Sequence, residues 1–389
     1  MTTGPIRNHV RGRRVQVSGS ANAETGSTLI QYAHTVVRGV VAEVLALGGG
    51  IVVGVGKEPR ATQDGPSLVF DWTALEVAAE WFRTGSDLFP AAAGPTVVIV
   101  SSEKAESEIP EERRALWDEL LASGRVHIES IQVGSRAATL IRQRQAHFAS
   151  VLFALGGGAG VEHLAEIFLD RRRSVIPLDL PLGASRNDGT GGAWRLAREA
   201  RRAPHRFVRL DSLATPVSSR LAALATREGA TAPELIIERT VALLRDLERP
   251  QAFYVRLLNP KHARFAAVEA FFREVVDPVV EAAGMRRIEI GTDRSEHAFM
   301  NVAIFESLHY AELAIVDVTG ERPNCFIELG YALGHGMKVL VTAEEGTSLP
   351  FDQQAIPCHF WTDTSNNKLR QTEFAEFWEN KVSRPPIVR

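Results

Sequence analysis

The sequence predicts an α/β protein made of two Rossmann-like, doubly wound parallel-sheet domains joined by a helical connector. Three observations predict it. Short apolar runs alternate with helically periodic segments, the pattern of a parallel sheet covered on both faces. At 389 residues the chain is too long for one ordinary core. The alternation is also interrupted once, by a stretch of different texture between residues 211 and 250.

Taken in order, the first domain is expected over 12–210. Its strands are the runs "RRVQVSG", "GGGIVVGV", "TVVIVSS", "SVLFALGGG" and "SVIPLDL". Amphipathic segments such as "LIQYAHTVVRGVVAEVLAL" and "EERRALWDELLASG" lie between them and read as helices. The 211–250 stretch reads as two helices rich in small residues and turn signals, ending at Arg249-Pro250, and is taken as the connector. The second domain, 251–389, opens with "AFYVRLLNP" and the long helical run "ARFAAVEAFFREVVDPVVEAAG". The strands "RRIEIG", "AELAIVDV" and "MKVLVTA" follow, and the tail carries the helical pattern "TEFAEFWENKV".

Three glycine-rich turns punctuate the first domain. Ser18, Gly19 and Ser20 close the first strand; Gly48 to Gly50 precede the second, which Gly54 and Gly56 follow; Gly156 to Gly158 and Gly160 close a later strand and open a helix. Glycine lets backbone N–H groups approach an anion, and a helix N-terminus adds partial positive charge. Each cluster alone is equally a tight turn. Three in register with one sheet edge point to a phosphate-bearing ligand.

"VSGSAN", the GGG strand and "ALGGGAGVEHL" together resemble the SLOG superfamily, the lysine-decarboxylase-like group that includes phosphoribohydrolases activating cytokinins. The resemblance implies nucleotide contacts at Ser18, Gly19, Ser20, Gly49, Gly50, Gly157, Gly158, Gly160 and Val161. Those hydrolases carry P-G-G-x-G-T-x-x-E. Here the threonine position is Val161 and the hydrolytic glutamate position is Leu164, while their Arg-Lys pair is echoed by Arg142 and Arg144. Leucine cannot stabilise an oxocarbenium charge, and Glu162 or Glu166 would replace the glutamate only after a turn of about 200° around the helix. The resemblance therefore implies nucleotide binding rather than hydrolysis, as in SLOG domains of bacterial antiphage proteins that sense cyclic ADP-ribose-type signals. Further on, Arg195, Arg198, Arg201, Arg202, Arg206 and Arg209 form a basic stripe, either a face paired with acids or a source of ligand contacts.

In the second domain the question is Glu328, a carboxylate inside the apolar segment "PNCFIELGYALGHG". Asn324 reads as the helix N-cap, and Asn324, Glu328, Tyr331 and His335 fall on one face. Asp317 closes the preceding strand at the end where open α/β sheets place ligands. Cleavage of a nucleoside C1′–N bond develops positive charge on the sugar, which a fixed carboxylate stabilises or attacks. The helix N-terminus would keep Glu328 ionised, suiting a nucleophile. A dipole-complementing Glu328 and an ordinary strand-end Asp317 explain the spacing equally well.

Asp317, Thr319, Gly320, Pro323, Asn324, Glu328, Leu329 and Gly330 resemble the hallmark of the nucleoside 2-deoxyribosyltransferase-like branch of the TIR-related superfamily. The resemblance implies Glu328 and Asp317 as catalytic residues, and Tyr254, Arg256, Thr319 and Asn324 as substrate contacts. The D-x-G-T-x-x-E form of the housekeeping transferases is missing, which favours hydrolysis over base exchange.

Composition narrows the classes. A formal net charge of −3 gives no global attraction to nucleic acid or an anionic membrane. Two cysteines, Cys325 and Cys358, form neither a zinc pattern nor a disulfide framework, and no apolar stretch is long enough to span a membrane. A soluble cytoplasmic protein is expected, with no metal and no required cofactor. The functional expectation is an N-glycosidase that hydrolyses NAD or another nucleotide through the second domain. The SLOG-like domain would sense a nucleotide signal, possible partners being a cyclic ADP-ribose-like ligand and further copies of the chain, with nucleic acid expected only through a partner protein. The antiphage setting rests on the resemblances alone. The alternatives are a non-catalytic nucleotide-binding signalling module and a phosphoribohydrolase acting through the first domain.

Overall fold

The computed structural model describes residues 9–62, 64–85, 88–90, 94–183, 191–211, 216–225, 230–290, 300–349, 356–363 and 366–382. They form two compact units, one running to Phe89 and from Pro95 to Glu248, the other from Arg249 onward together with Pro90 and Gly94. Each is an all-parallel sheet with helices on both faces, the class expected.

The first sheet contains β1 (Arg14–Ser20), β2 (Gly50–Val53), β3 (Val97–Ser102), β4 (Val126–Ile131), β5 (Val151–Gly156) and β6 (Ser174–Leu178). Their spatial order is β4-β3-β2-β1-β5-β6, so the winding reverses between β1 and β5. That reversal is the switch point at which open sheets leave a crevice at the strands' C-terminal ends. Helices α1 (Ser27–Ala46), α2 (Asp71–Arg83) and α3 (Glu111–Ala122) connect the first strands. Helix α4 (Ala137–Phe148) makes the long return from the edge to β5, followed by α5 (Ala159–Asp170), α6 (Gly192–Arg202) and α7 (Pro204–Phe207).

The segment expected as a connector belongs to this unit. Its helices α8 (Val217–Ala222) and α9 (Pro233–Arg245) place Val217, Leu221, Ile236, Leu243 and Leu244 in the first core. The small residue Gly39 on α1 admits Ile237 of α9, whose Cδ1 would lie 2.3 Å from any added Cβ. Close helix packing of this kind turns a link into part of a domain.

The second sheet runs β11-β10-β9-β7-β8, with β7 (Gln251–Val255), β8 (Arg286–Ile288), β9 (Leu313–Asp317), β10 (Lys338–Glu344) and β11 (Cys358–Trp361). One face packs on α10 (Phe265–Phe271), a π-helical turn, α11 (Asp277–Ala282) and α14 (Asn367–Val382). The other packs on α12 (Met300–Tyr310) and α13 (Pro323–Gly334). Alternation along β7 sends Tyr254 to the first face, and Phe253 and Val255 to the second. Among the described residues no helix is long and apolar enough to cross a membrane.

Backbone contact at the first switch point requires bare glycine. At Gly19, with φ +148°, an added Cβ would lie 1.6 Å from the Leu155 carbonyl oxygen. Gly19→Ala is therefore expected to lose at least about 3 kcal/mol in urea unfolding. Gly124→Ala, at φ +68° but in open space, is expected to lose only about 1–2 kcal/mol.

Candidate functional site

In the first unit the crevice is built from the ends of β1 and β5. Ser20 pairs with Gly156, and the Gly157 N–H donates to the Ser20 carbonyl at 2.7 Å. Gly156 and Gly157 take φ of +52° and +68°, which turns the chain sharply out of the strand. Gly192 at the start of α6 is pressed onto the same turn, its virtual Cβ 2.2 Å from the Gly157 carbonyl oxygen. Gly158 caps α5, and among the described residues the N–H groups of Gly158, Ala159 and Gly160 have no acceptor. Arg142 of α4 lies over this helix end: its Nη2 would be 3.1 Å from a Cβ on Gly160, and its Nη1 meets His163 Nδ1 at 3.3 Å. Ser18 and Ser20 are half-buried at the end of β1 beside the same turn. Free amides, a helix N-terminus and a guanidinium on one edge make an anion cradle.

Gly49, Gly50 and Val161 hold structural places in the first unit. Gly49 and Gly50 sit at the N-terminal end of β2, the opposite edge of the sheet from the crevice. They are bare so that α1 can turn directly into β2: a Cβ on Gly50 would meet the Thr96 carbonyl oxygen at 2.3 Å, and one on Gly49 would meet Val10 and Val44. Val161 faces the core and backs the glycine turn, its Cγ2 2.4 Å from a virtual Cβ on Gly157, so its side chain is packing rather than ligand contact. Leu164 is 1% exposed in the same core. Glu162 accepts the Gly192 N–H at 2.7 Å and pairs with Arg195 at 3.2 Å.

The basic stripe is mostly satisfied within the unit. Besides Arg195, Arg206 pairs with Glu166 at 2.8 Å, Arg209 with Glu248 at 3.3 Å, and Arg201 with Asp179. Arg198 lies over the Trp194 ring.

The sequence reading passed over Asp71. Ser20 bridges Val69, and the Ala21 N–H donates to the Leu68 carbonyl, which lays the segment before α2 along the crevice edge. Asp71 then accepts the Gly54 N–H at 2.8 Å, and burial pushes its carboxyl up to about 6. Only tertiary pairing places it there, so no sequence motif signals it.

In the second unit Asp317 is 0% exposed. Its oxygens accept the Thr319 N–H at 3.1 Å, the Thr342 hydroxyl at 2.8 Å and the Trp361 indole N–H at 2.9 Å. Burial raises its carboxyl above the usual range, opposed by these three donors. Thr319 is buried beside it, its hydroxyl accepting the Glu344 N–H at 2.8 Å. Both residues fasten β9, β10 and β11 together at their C-terminal ends.

Tyr254 points to the opposite face of the sheet from α13, and its hydroxyl donates to Asp277 at 3.0 Å. Arg256 is buried between Glu289 and Glu269 and lies over the Phe272 ring. Its guanidinium is engaged by two carboxylates in this arrangement. Asn324 is exposed at the second position of α13; the cap is Arg322, with Pro323 pre-setting the first turn.

Glu328 stands apart. It is half-buried and, among the described residues, has no hydrogen bond or ion pair. Burial pushes its carboxyl up to about 7 against the weaker pull of Arg322. The expected dipole effect is overridden, because Glu328 lies in the second turn where the field has decayed. One turn on, the Tyr331 hydroxyl meets His309 Nδ1 at 2.9 Å, and His309 stacks on His335 with centroids 4.0 Å apart. A pocket of ≈ 530 Å³ opens there, lined by Val302, Phe305, Glu306, His309, Tyr310 and Tyr331. Burial pushes both Cys325 and Cys358 thiols up to about 12, which disfavours a thiolate nucleophile. Among the described residues no group of His, Cys, Asp or Glu could hold a metal ion.

Removing one donor from Asp317 tests its role as a fastener. Trp361→Phe is expected to lower unfolding free energy by about 1–3 kcal/mol, read by thermal melting. Asn324→Ala, on the exposed helix surface, is expected to stay within about 0.5 kcal/mol of wild type.

Residues 10–239 match the family described as ATP nucleosidase Cap17-like, N-terminal. The chain is 27% identical over 177 residues to the ATP nucleosidase Cap17 of Escherichia coli (strain KTE188), covering 46% of this chain and 34% of that relative. A second ATP nucleosidase Cap17, from Escherichia coli, matches to the same extent. The chain thus spans about a third of the length of the curated relatives it matches. With more than half of its length matched, the chain belongs to the ATP nucleosidase Cap17-like, N-terminal family.

Proposed function

We propose that the chain is a nucleotide N-glycosidase in which the first unit binds a nucleotide through its phosphates and the second carries the cleaving carboxylate, Glu328. The observation that carries this reading is the state of Glu328: a half-buried acid on the ligand-side helix with its carboxyl near 7 and no described partner. Such unpartnered, perturbed acids are characteristic of reaction sites. As the C1′–N bond breaks, positive charge grows on the sugar ring and the ionised Glu328 stabilises it. Water then supplies the hydroxyl to C1′; its proton goes to a departing adenine, or to solvent when nicotinamide leaves NAD as a neutral base. Tyr331, Phe305 and Tyr310 give the base aromatic walls.

The name of the matched relatives makes ATP the first substrate to test and the first unit's likeness to them supports a purine nucleotide in its cradle. NAD is the second, from the resemblance of the second unit to the deoxyribosyltransferase-like branch. A signal role for the first unit, self-assembly and an antiphage setting follow from the same resemblances. One observation favours a different reading: the family match falls on residues 10–239, the first unit, so hydrolysis there is the competing hypothesis.

Base release from ATP and NAD, followed by chromatography, separates the two. Glu328→Gln is expected to lose about 10²–10⁴-fold in rate while remaining folded; full activity in that variant would move catalysis to the first unit. The pH dependence has a defined sign. A carboxyl raised to about 7 is neutral below that value and ionised above it, so kcat/KM is expected to rise through pH 7 and then level. Ionisation also costs the folded state, and this loss of stability develops as pH rises from the ordinary carboxylate range to about 7. The thermal midpoint of Glu328→Gln relative to wild type is therefore expected to increase between pH 5 and pH 8.

A further inference from the structure

The first unit contains a carboxylate and a carboxamide that converge on a bare backbone position beside the anion cradle. A Cβ built on Gly54 would lie 3.5 Å from Asp71 Oδ1 and 4.0 Å from Gln145 Nε2, so the two side chains flank one face of that glycine. Gly54 follows β2, and β2 neighbours β1, whose end forms the cradle with β5. Two strand spacings, roughly 10 Å, separate the Asp71 corner from the start of α5. Gln145 and Arg142 lie three residues apart on α4, so one helix carries a group to each end of this span.

We propose that Asp71 and Gln145 form a ribose subsite, selecting a ribonucleotide over its 2′-deoxy counterpart. This rests on the reading that the first unit binds nucleotide phosphates at the β1/β5 crevice. The Gly54 N–H holds Oδ1 of Asp71 in place, Asp71's own backbone N–H adds a second donor, and the other carboxylate oxygen keeps acceptor capacity. That oxygen accepts from the sugar hydroxyls, and the Gln145 amide donates to one of their oxygens. The absent side chain at Gly54 leaves the sugar room between them. Asp71 is held by a backbone N–H and, among the described residues, by no cation, which separates it from the structural acids Glu58 and Glu162. Burial keeps it near 6, so it is largely ionised at neutral pH. A deoxy sugar would withdraw the hydroxyl donor and leave this half-buried carboxylate with its backbone donors alone.

Titration calorimetry on the full chain tests this with ATP, 2′-deoxy-ATP and inorganic tripolyphosphate. Wild type is expected to bind ATP at least tenfold more tightly than 2′-deoxy-ATP. Asp71→Asn, whose amide oxygen can still accept the Gly54 N–H, is expected to bind both within threefold of each other, with tripolyphosphate affinity unchanged. Equal binding of the two nucleotides by wild type, or a tenfold preference retained in Asp71→Asn, overturns the subsite. Binding of tripolyphosphate without sugar discrimination removes the subsite and leaves the cradle. No binding of tripolyphosphate or either nucleotide removes both. If Asp71→Asn does not fold, Gln145→Ala reads the same preference: a threefold or greater reduction supports the subsite, and an unchanged preference overturns it.

Discussion

The first unit depends on one backbone contact, the Gly157 N–H donating to the Ser20 carbonyl where the winding of the sheet reverses. Around it, Gly19, Gly156, Gly157 and Gly192 bring two strand ends and a helix start to within main-chain contact distance. A single methyl group at Gly19, Gly156 or Gly192 would collide with backbone, which cannot move as a side chain can. Because the chain turns so tightly there, α5 begins at the crevice with its first amides facing outward. The anion cradle is a by-product of how the sheet closes at its switch point, and Arg142 completes it from a helix that the topology must in any case bring back across the sheet.

The second unit handles its buried acids differently. Asp317 spends its whole capacity on holding three strand ends, and its three donors come from three separate strands or turns. Arg256 is bound by two carboxylates, and Tyr254 by a third on the far side of the sheet. With these groups satisfied, Glu328 is the acid whose protonation is open to change by whatever enters beside it. The two carboxylates contrast: Asp317 is held by three donors, whereas Glu328 has no hydrogen bond or ion pair among the described residues.

Strands buried on both faces, such as β1, β3, β5 and β9, are legible from sequence because they are continuous apolar runs. The edge strands β4 and β11 are half-exposed and mixed in character, and the sequence reading missed both. Glycine clusters are equally visible, but their chemistry depends on which end of a strand they occupy. Gly49 and Gly50 differ from Gly157 and Gly158 only in that respect, and register alone decides it. Glu328 was legible as an acid in an apolar helix. The engagement of Arg256 and Tyr254 was not, because Glu289, Glu269 and Asp277 lie between 13 and 33 residues away in sequence. Asp71 needed the pairing of Ser20 with Val69 to reach the crevice at all.

The internal pairing of the arginines on α6 and α7 has a kinetic consequence. With Arg195, Arg201, Arg206 and Arg209 matched to acids of the same unit, these four contribute little long-range positive field at the crevice. Among the described residues, an incoming polyanion would feel its nearest attraction from the start of α5 and Arg142. Arrival would then proceed at an unsteered rate with little dependence on ionic strength, and occupancy would be set by how long the nucleotide stays. A cleft of this kind responds to sustained concentration rather than to brief pulses of its ligand.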